Sequence, residues 1–283
     1  SIDGSKKIEN QLEEKYVIKC INSICKNESI LKIGQNIKYD IRILKKYGVI
    51  LNSIADTMLM SYSIDNGIYK HNLDDLSFNH LNHTTIKYKD VVGTGKNEIT
   101  FDKVSIDNAV NYAAEDSLLT YRLFQHLYPR LINERANFVY QNIDLPLIQV
   151  LSKIEENGIE VNKKSLTVLS KEFEEESKKL EKKIYKLSGE NFNIGSPKQL
   201  GEILFINLKI PGAKKTKSGT YSTDSSTLNN LASDGFEIAK LVLEWRELTK
   251  LKSTYTDALF RLTDDISRVH TSFGLANTLT GRL

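Results

Sequence analysis

Cysteine is nearly missing: Cys20 and Cys25 are the only two among 283 residues. Two thiols cannot build a disulfide framework. No His or Cys stands beside them at ligand spacing, so they do not suggest zinc. They read as reduced structural thiols of a cytosolic protein. No apolar run approaches the roughly 20 residues that span a bilayer, and no signal peptide opens the chain. Strong net charge is missing too. Thirty-nine basic and 36 acidic side chains leave a formal +3, so any contact with nucleic acid must come from local patches. There are no internal repeats and no low-complexity tract. The chain opens on Ser rather than Met, which is what a piece of a longer protein would show.

What is present is an ordinary globular composition, 40% hydrophobic and 27% charged, long enough for two domains. An amphipathic stretch around Ile8–Ile24 predicts a helix. Ile30–Gly34 predicts a strand, Asn36–Tyr47 a helix, Gly48–Leu51 a second strand and Asp56–Tyr62 another helix. This alternation argues for an α/β layer. Further helices are expected at His71–Leu81 and at Ser105–Leu127, the latter closed by Pro129, with a Gly-containing loop at Val91–Asn97. After about residue 135 the pattern becomes helical. Helices are expected over Ile143–Glu156, ending at Asn157-Gly158, over the charged Lys163–Leu187, and over Glu237–Leu259. Ser196-Pro-Lys-Gln199 opens another with a capping box. Lys214–Thr223 reads as a polar, basic loop, and Arg268–Ser272 as β-like. The expected division is 1–135 and 136–283.

Two motifs place polar side chains one helical turn apart on one face. They are Gln35-Asn36-x-x-x-Asp40 and Tyr112-Ala-Ala-Glu-Asp116. Either alone is as readily a solvated or capping pair. Together, in this order, they resemble the second and third motifs of the DnaQ-like proofreading exonucleases. Lys32-Ile-Gly-Gln-Asn-Ile-Lys-Tyr-Asp40, Asp56-Thr-Met-Leu-x-Ser-Tyr62 and Gly93-x-Gly-Lys-Asn97 with Thr100-Phe101 sharpen the likeness. They bring it to the exonuclease domain of the bacterial family A DNA polymerases. The second half is similar to the start of the polymerase region of the same family. It carries Asp144-Leu-Pro-Leu147, Leu151-Ser-Lys-Ile-Glu-Glu-Asn-Gly158, Lys214-Lys-Thr216, Ser222-Thr223 and Leu251-Lys-Ser-Thr-Tyr-Thr-Asp257. It closes on Arg268-Val-His-Thr-Ser-Phe273 and Thr278-x-Thr-Gly-Arg-Leu283.

The resemblance implies a ribonuclease H-like α/β exonuclease domain followed by a mostly α-helical thumb and the first palm strand. It implies two-metal phosphodiester hydrolysis with Mg²⁺ or Mn²⁺. Asp40 and Asp116 would be ligands, and Tyr112 would orient the attacking water. Gln35 and Asn36 would steady the strand end. Lys70, where the family often has Arg, and Tyr88, where it has Phe, would meet a frayed 3′ end. Lys214, Lys215 and Thr216, with Lys252, Ser253 and Thr254, would touch the duplex backbone. Arg282 would reach the minor groove at the primer terminus. His270 and Trp245 read as packing residues.

The family also needs an acidic Asp-x-Glu strand upstream, and nothing in residues 1–29 matches it. The first strands of the exonuclease domain are therefore expected to be missing, leaving the Ile30–Ile33 strand with an open edge. The palm aspartates and the fingers, where dNTPs bind in an intact enzyme, lie outside these residues. The expected activity of this chain is DNA binding without polymerisation, in the cytoplasm near the nucleoid and away from membranes. The competing readings are a catalytically inactive DNA-binding scaffold and a free-standing ribonuclease D-like exonuclease.

Overall fold

The computed structural model describes residues 12–216 and 219–283, together with the backbone of residues 2–3 and 6–7. The expected helix start at residue 8 lies outside the described residues. Two compact units form: residues 1–156 with 271–283, and residues 157–270. The expected boundary near 135 thus falls inside the first unit, because Tyr140, Ile148 and Leu151 belong to that unit's core.

The first unit opens with a two-residue hairpin of β1 (Ile2–Asp3) and β2 (Lys6–Lys7). Helix α1 (Glu14–Cys25) leads to β3 (Lys32–Gly34), α2 (Ile37–Lys45) and β4 (Ile54–Asp56). Strands β3 and β4 pair in parallel with Ile33 opposite Ala55. The expected strand at Gly48–Leu51 is instead the exit from α2. Gly48, at φ 73°, donates to Lys45 O at 2.9 Å, and Val49 donates to Leu44 O at 3.1 Å. This left-handed glycine closes the helix, and the chain forms its strand only after turning. Gly34 has a different reason to be Gly. A Cβ there would lie 2.8 Å from the Ile37 side chain, so α2 could not start so close to the strand.

Helices α3 (Thr57–Asp65), α4 (Leu73–Leu81) and α5 (Tyr88–Val92) follow. The 28-residue α6 (Ile106–Asn133) runs through Pro129 instead of ending there. Burying Leu127 and Leu131 on either side of the proline, both at 0% exposure, offsets the cost of its lost amide. Short α7 (Asn137–Val139) passes through a π-helical turn, Tyr140–Asp144, into α8 (Leu145–Asn157). The core gathers Ile37, Leu59, Met60, Leu76, Leu123 and Tyr140. Among the described residues β3 pairs only with β4, and Ile30 and Leu31 before it are exposed.

The second unit pairs β5 (Ile159–Glu160) with β6 (Arg268–Val269) in antiparallel register. Its core lies among α9 (Lys163–Ser188), α10 (Pro197–Glu202), α11 (Ser225–Ser233) and α12 (Glu237–Lys250). Ser196 caps α10 by accepting from Gln199 N at 3.5 Å, and proline is its first residue. The return half of the expected capping box is not made, because Gln199 Oε1 accepts from Asn193 N at 2.7 Å and Ser196 N donates to Asn193 O. A π-helical turn, Leu251–Asp257, joins α12 to α13 (Ala258–Leu262). The expected loop at Lys214–Thr223 is a small hairpin. Lys215 bridges Tyr221, and Ser222 N donates to Lys214 O at 2.7 Å. Trp245 packs against the core and donates to Glu181 at 2.9 Å, the packing role expected for it. Among the described residues no helix is long and apolar enough to cross a membrane.

Candidate nuclease site and nucleic-acid contacts

The β3–α2 junction is built around Asp56, the first residue of the Asp56-Thr-Met-Leu-x-Ser-Tyr62 motif, to which the resemblance assigns no site role. Asp56 is fully buried. Its oxygens accept from Asn36 N at 3.2 Å, Ile37 N at 2.8 Å, Met58 N at 2.8 Å and Leu59 N at 3.3 Å. One side chain therefore caps α2 and α3 together. Complete burial pushes its carboxyl up to about 6, against the opposing pull of those four amides. Gln35 is locked beside it. Its amide donates to His71 O at 2.8 Å, and its oxygen accepts from Thr57 Oγ1 at 2.5 Å. Asn36 sits in the left-handed region at φ 57°, which Asn tolerates better than most residues. Its side chain is exposed. Gln35 thus has a structural tie, while Asn36 points a polar group outward.

Asp40 lies in the first turn of α2, where the helix dipole favours a carboxylate. It keeps contact with solvent, yet desolvation by its neighbours raises its carboxyl above the ordinary value. Behind it, Lys38 and Arg42 reach Glu155 at 2.5 and 2.6 Å, and Phe273 N donates to the same carboxylate at 2.7 Å. This buried group fixes α2.

On α6, Tyr112 and Asp116 stand one helical turn apart. Burial, then the Asp116 charge, pushes the phenol up to about 12, so it stays a donor. Desolvation raises Asp116, and the nearby charges of Glu115 and Asp74 add to that rise. Three rings gather here. Tyr88 stacks on Phe101 at 6.1 Å, and both meet Tyr112, at 6.1 and 5.9 Å. Tyr88 stays half exposed. The structure therefore brings Tyr112, Asp116 and Tyr88 together. Asp40 is not part of this ring cluster.

Mg²⁺ or Mn²⁺ needs several converging oxygen ligands. Among the described residues no three His, Cys, Asp or Glu side chains could hold a metal ion together. The donors present do not fit a two-ion site, and no step is assigned through one.

Lys70 is exposed on the rim of a cavity of about 570 Å³ shared with Tyr69, His71 and Asn277. Arg282 is exposed; its carbonyl accepts from Thr278 Oγ1 at 2.9 Å. In the second unit Lys214, Lys215 and Thr216 are exposed on the hairpin, with the Lys215 ammonium 5.7 Å from the Tyr221 ring centre. Lys252 differs. It is half-buried and paired with Asp257 at 2.8 Å, which also accepts from Ser170 at 2.6 Å. Its charge is largely neutralised within the helical seam. Ser253 and Thr254 beside it are exposed. His270 contacts Asp264 at 3.2 Å.

A Tyr and an Asp one helical turn apart, with the Tyr inside a cluster of three rings, fit a nuclease-type segment joined to a second, helical module. Residues 5–132 match the sequence model described as 3′-5′ exonuclease. Residues 163–283 match the one described as DNA polymerase family A. The chain belongs to the family A DNA polymerases and joins an exonuclease segment to the start of the polymerase region. It is 47% identical over 276 residues to DNA polymerase I of Rhizobium leguminosarum, matching 97% of this chain and 27% of that protein. It is 40% identical to DNA polymerase I of Pseudomonas aeruginosa, matching 98% of this chain and 31% of that protein. The chain thus spans less than a third of the length of these curated relatives. Among solved structures it resembles the POL domain of Pol1 from M. smegmatis in complex with DNA primer-template and dNTP. That match has a TM-score of 0.72 at 27% identity and covers 93% of this chain and 43% of that one.

Proposed function

We propose that the chain is the 3′-end-binding and duplex-gripping segment of a DNA-directed DNA polymerase. The parent would copy DNA and remove nucleotides from 3′ ends. The observation that carries the proposal is Tyr112, one helical turn from Asp116, against the Tyr88 and Phe101 rings, followed in the same chain by the family A segment. In this reading residues 1–135 supply a ribonuclease H-like layer, and Tyr140, Ile148 and Leu151 complete the core of the first unit. Residues 136–283 supply the thumb and the opening of the palm. Tyr112 orients water toward the scissile phosphate. Tyr88 and Lys70 receive a single-stranded 3′ end. Asn36 faces that strand. Lys214, Lys215, Thr216, Ser253 and Thr254 meet the duplex backbone, Lys252 serves the helical seam, and Arg282 faces the primer terminus. The intact enzyme would take dNTPs in its further domains and work with Mg²⁺ or Mn²⁺ in the bacterial cytoplasm.

For the isolated chain a second reading is favoured by one observation: among the described residues no three-ligand metal group is assembled. The chain then binds DNA without cutting it. The test is a primer-template labelled at the primer 5′ end and incubated with the chain and Mg²⁺ or Mn²⁺. Binding with little trimming is expected. Robust trimming that disappears in Asp116→Ala would show a complete nuclease site. Absence of any binding would overturn both readings.

A further inference from the structure

The segment His83–Lys87 runs extended between α4 and α5 and ends where Tyr88 begins. Within it Lys87 Nζ donates to Thr85 Oγ1 at 3.2 Å, and His83 N donates to Ser77 O at 3.2 Å. Two carboxylates, one on α6 and one on α4, add the longer ties. From α6, Glu115 takes His83 Nε2 at 2.7 Å on one oxygen and Ile86 N at 2.7 Å on the other. From α4, Asp74 accepts from Thr85 Oγ1 and pairs with Lys87 Nζ at 2.7 Å. Thr85 is buried while Ile86 is exposed. The strap is therefore held at residues 83 and 86 by Glu115, and at 85 and 87 by Asp74. The next residue is Tyr88, whose ring centre lies 6.1 Å from that of Tyr112.

We infer that Glu115, with His83, is a positioning residue that clasps this strap so that the Tyr88 ring is held beside Tyr112 to stack on a 3′-terminal base. The inference rests on the 3′-end-binding reading above. The arrangement has an electrostatic cost, which argues that it serves something. Glu115 and Asp74 both disfavour the ionised form of Asp116 next to them. A tie needed only for folding could be made with neutral groups. Pairing with His83 and Lys87 offsets part of the repulsion and delivers the strap in the same contacts. Both oxygens of Glu115 are taken by the strap, so its effect passes through Tyr88.

The test uses the full chain and a short oligothymidine carrying 2-aminopurine at its 3′ end, whose fluorescence falls when the base stacks on an aromatic ring. Tyr88→Ala should weaken binding by on the order of tenfold, the value of one base–aromatic stack, and abolish the quench. Glu115→Ala should do the same. The double variant should be no worse than either single one, because both act through one ring. Glu115→Gln keeps an acceptor for Ile86 N and should restore binding to within about twofold. His83→Ala releases the strap from its half-exposed side and serves if Glu115→Ala does not fold. It should weaken binding in the same sense. If Tyr88→Ala weakens binding but Glu115→Ala and His83→Ala leave affinity and quench unchanged, the clasp is refuted while 3′-end binding stands. Additive losses in the double variant also refute it. If Tyr88→Ala has no effect, the 3′-end reading falls and the clasp with it.

Discussion

Replacing Asp56 by Ala removes one side chain and four hydrogen bonds, at the point where β4 passes into α3 and beside the start of α2. Each helix loses its N-cap, worth about 1 kcal/mol apiece. Two of the stranded amides belong to Ile37 and Leu59, at 2% and 0% exposure, where an unsatisfied donor costs about 1–3 kcal/mol. Together these give a destabilisation of about 4 kcal/mol. For a unit of this size that lowers the melting temperature by roughly 8–16 °C. Asp56→Asn is the informative companion. Asn36 N, Met58 N and Leu59 N all bond Oδ1, and only Ile37 N bonds Oδ2. An amide placed with its oxygen at Oδ1 keeps three bonds and also spares the burial of a charge, so its cost should be about 1–2 kcal/mol. Denaturant unfolding followed by far-ultraviolet circular dichroism gives the totals. Hydrogen exchange shows whether the loss lies in α2 and α3. A loss below about 1 kcal/mol for Asp56→Ala, or unchanged exchange in both helices, would refute the view that one carboxylate caps both.

Glu155 should make the first unit acid-sensitive. Burial alone would raise its carboxyl, but Lys38, Phe273 N and Arg42 together hold it below the ordinary 4.5. Its contribution is therefore present above about 4.5 and lost as pH falls further. Urea midpoints at pH 7 and pH 3.5 should converge between wild type and Glu155→Gln at the lower pH, and equal gaps at both would contradict this. Glu155→Ala leaves Lys38 buried without its partner and should cost about 3–5 kcal/mol at pH 7. Primer extension by the purified chain with Mg²⁺ and dNTPs is expected to be nil, and any extension above a mock preparation would contradict that.

Where a residue's partner is near in sequence, the structure is legible from the sequence alone. The Ser196 cap, the helix at Leu73–Leu81 and the long charged α9 all follow from caps and 3.6-residue periodicity. Helix α11 carries a weaker signal because its surface is Ser, Thr and Asn. Its start rests on Asp224 accepting from Thr227 N at 2.7 Å, a cap that the sequence does display. Strand β4 is three residues long and ends on a buried Asp, so no alternation marks it. The site divides the same way. Tyr112 and Asp116 share a helix face, and their spacing alone marks them as a pair. Asp56 is legible only as the cap of the helix it opens; its bonds to Asn36 N and Ile37 N, 20 and 19 residues back, are not. Asp74, Glu115 and His83 have no such mark, because their partners lie across turns or on other helices, as with His83 and Glu115, 32 residues apart, and only the fold brings them together. The Lys252–Asp257 pair is not legible in sequence, because the π-helical turn that brings Asp257 back to it leaves no mark there.

Whether this chain grips DNA through the phosphate backbone is decided by the salt dependence of duplex binding. Anisotropy of a labelled primer-template should give log K falling linearly with log salt, without regard to sequence. Lys214→Ala with Lys215→Ala should reduce the slope by about two, close to one for each lysine taken away from a phosphate. No binding at low salt, or an affinity and slope unchanged by the double substitution, would contradict the grip.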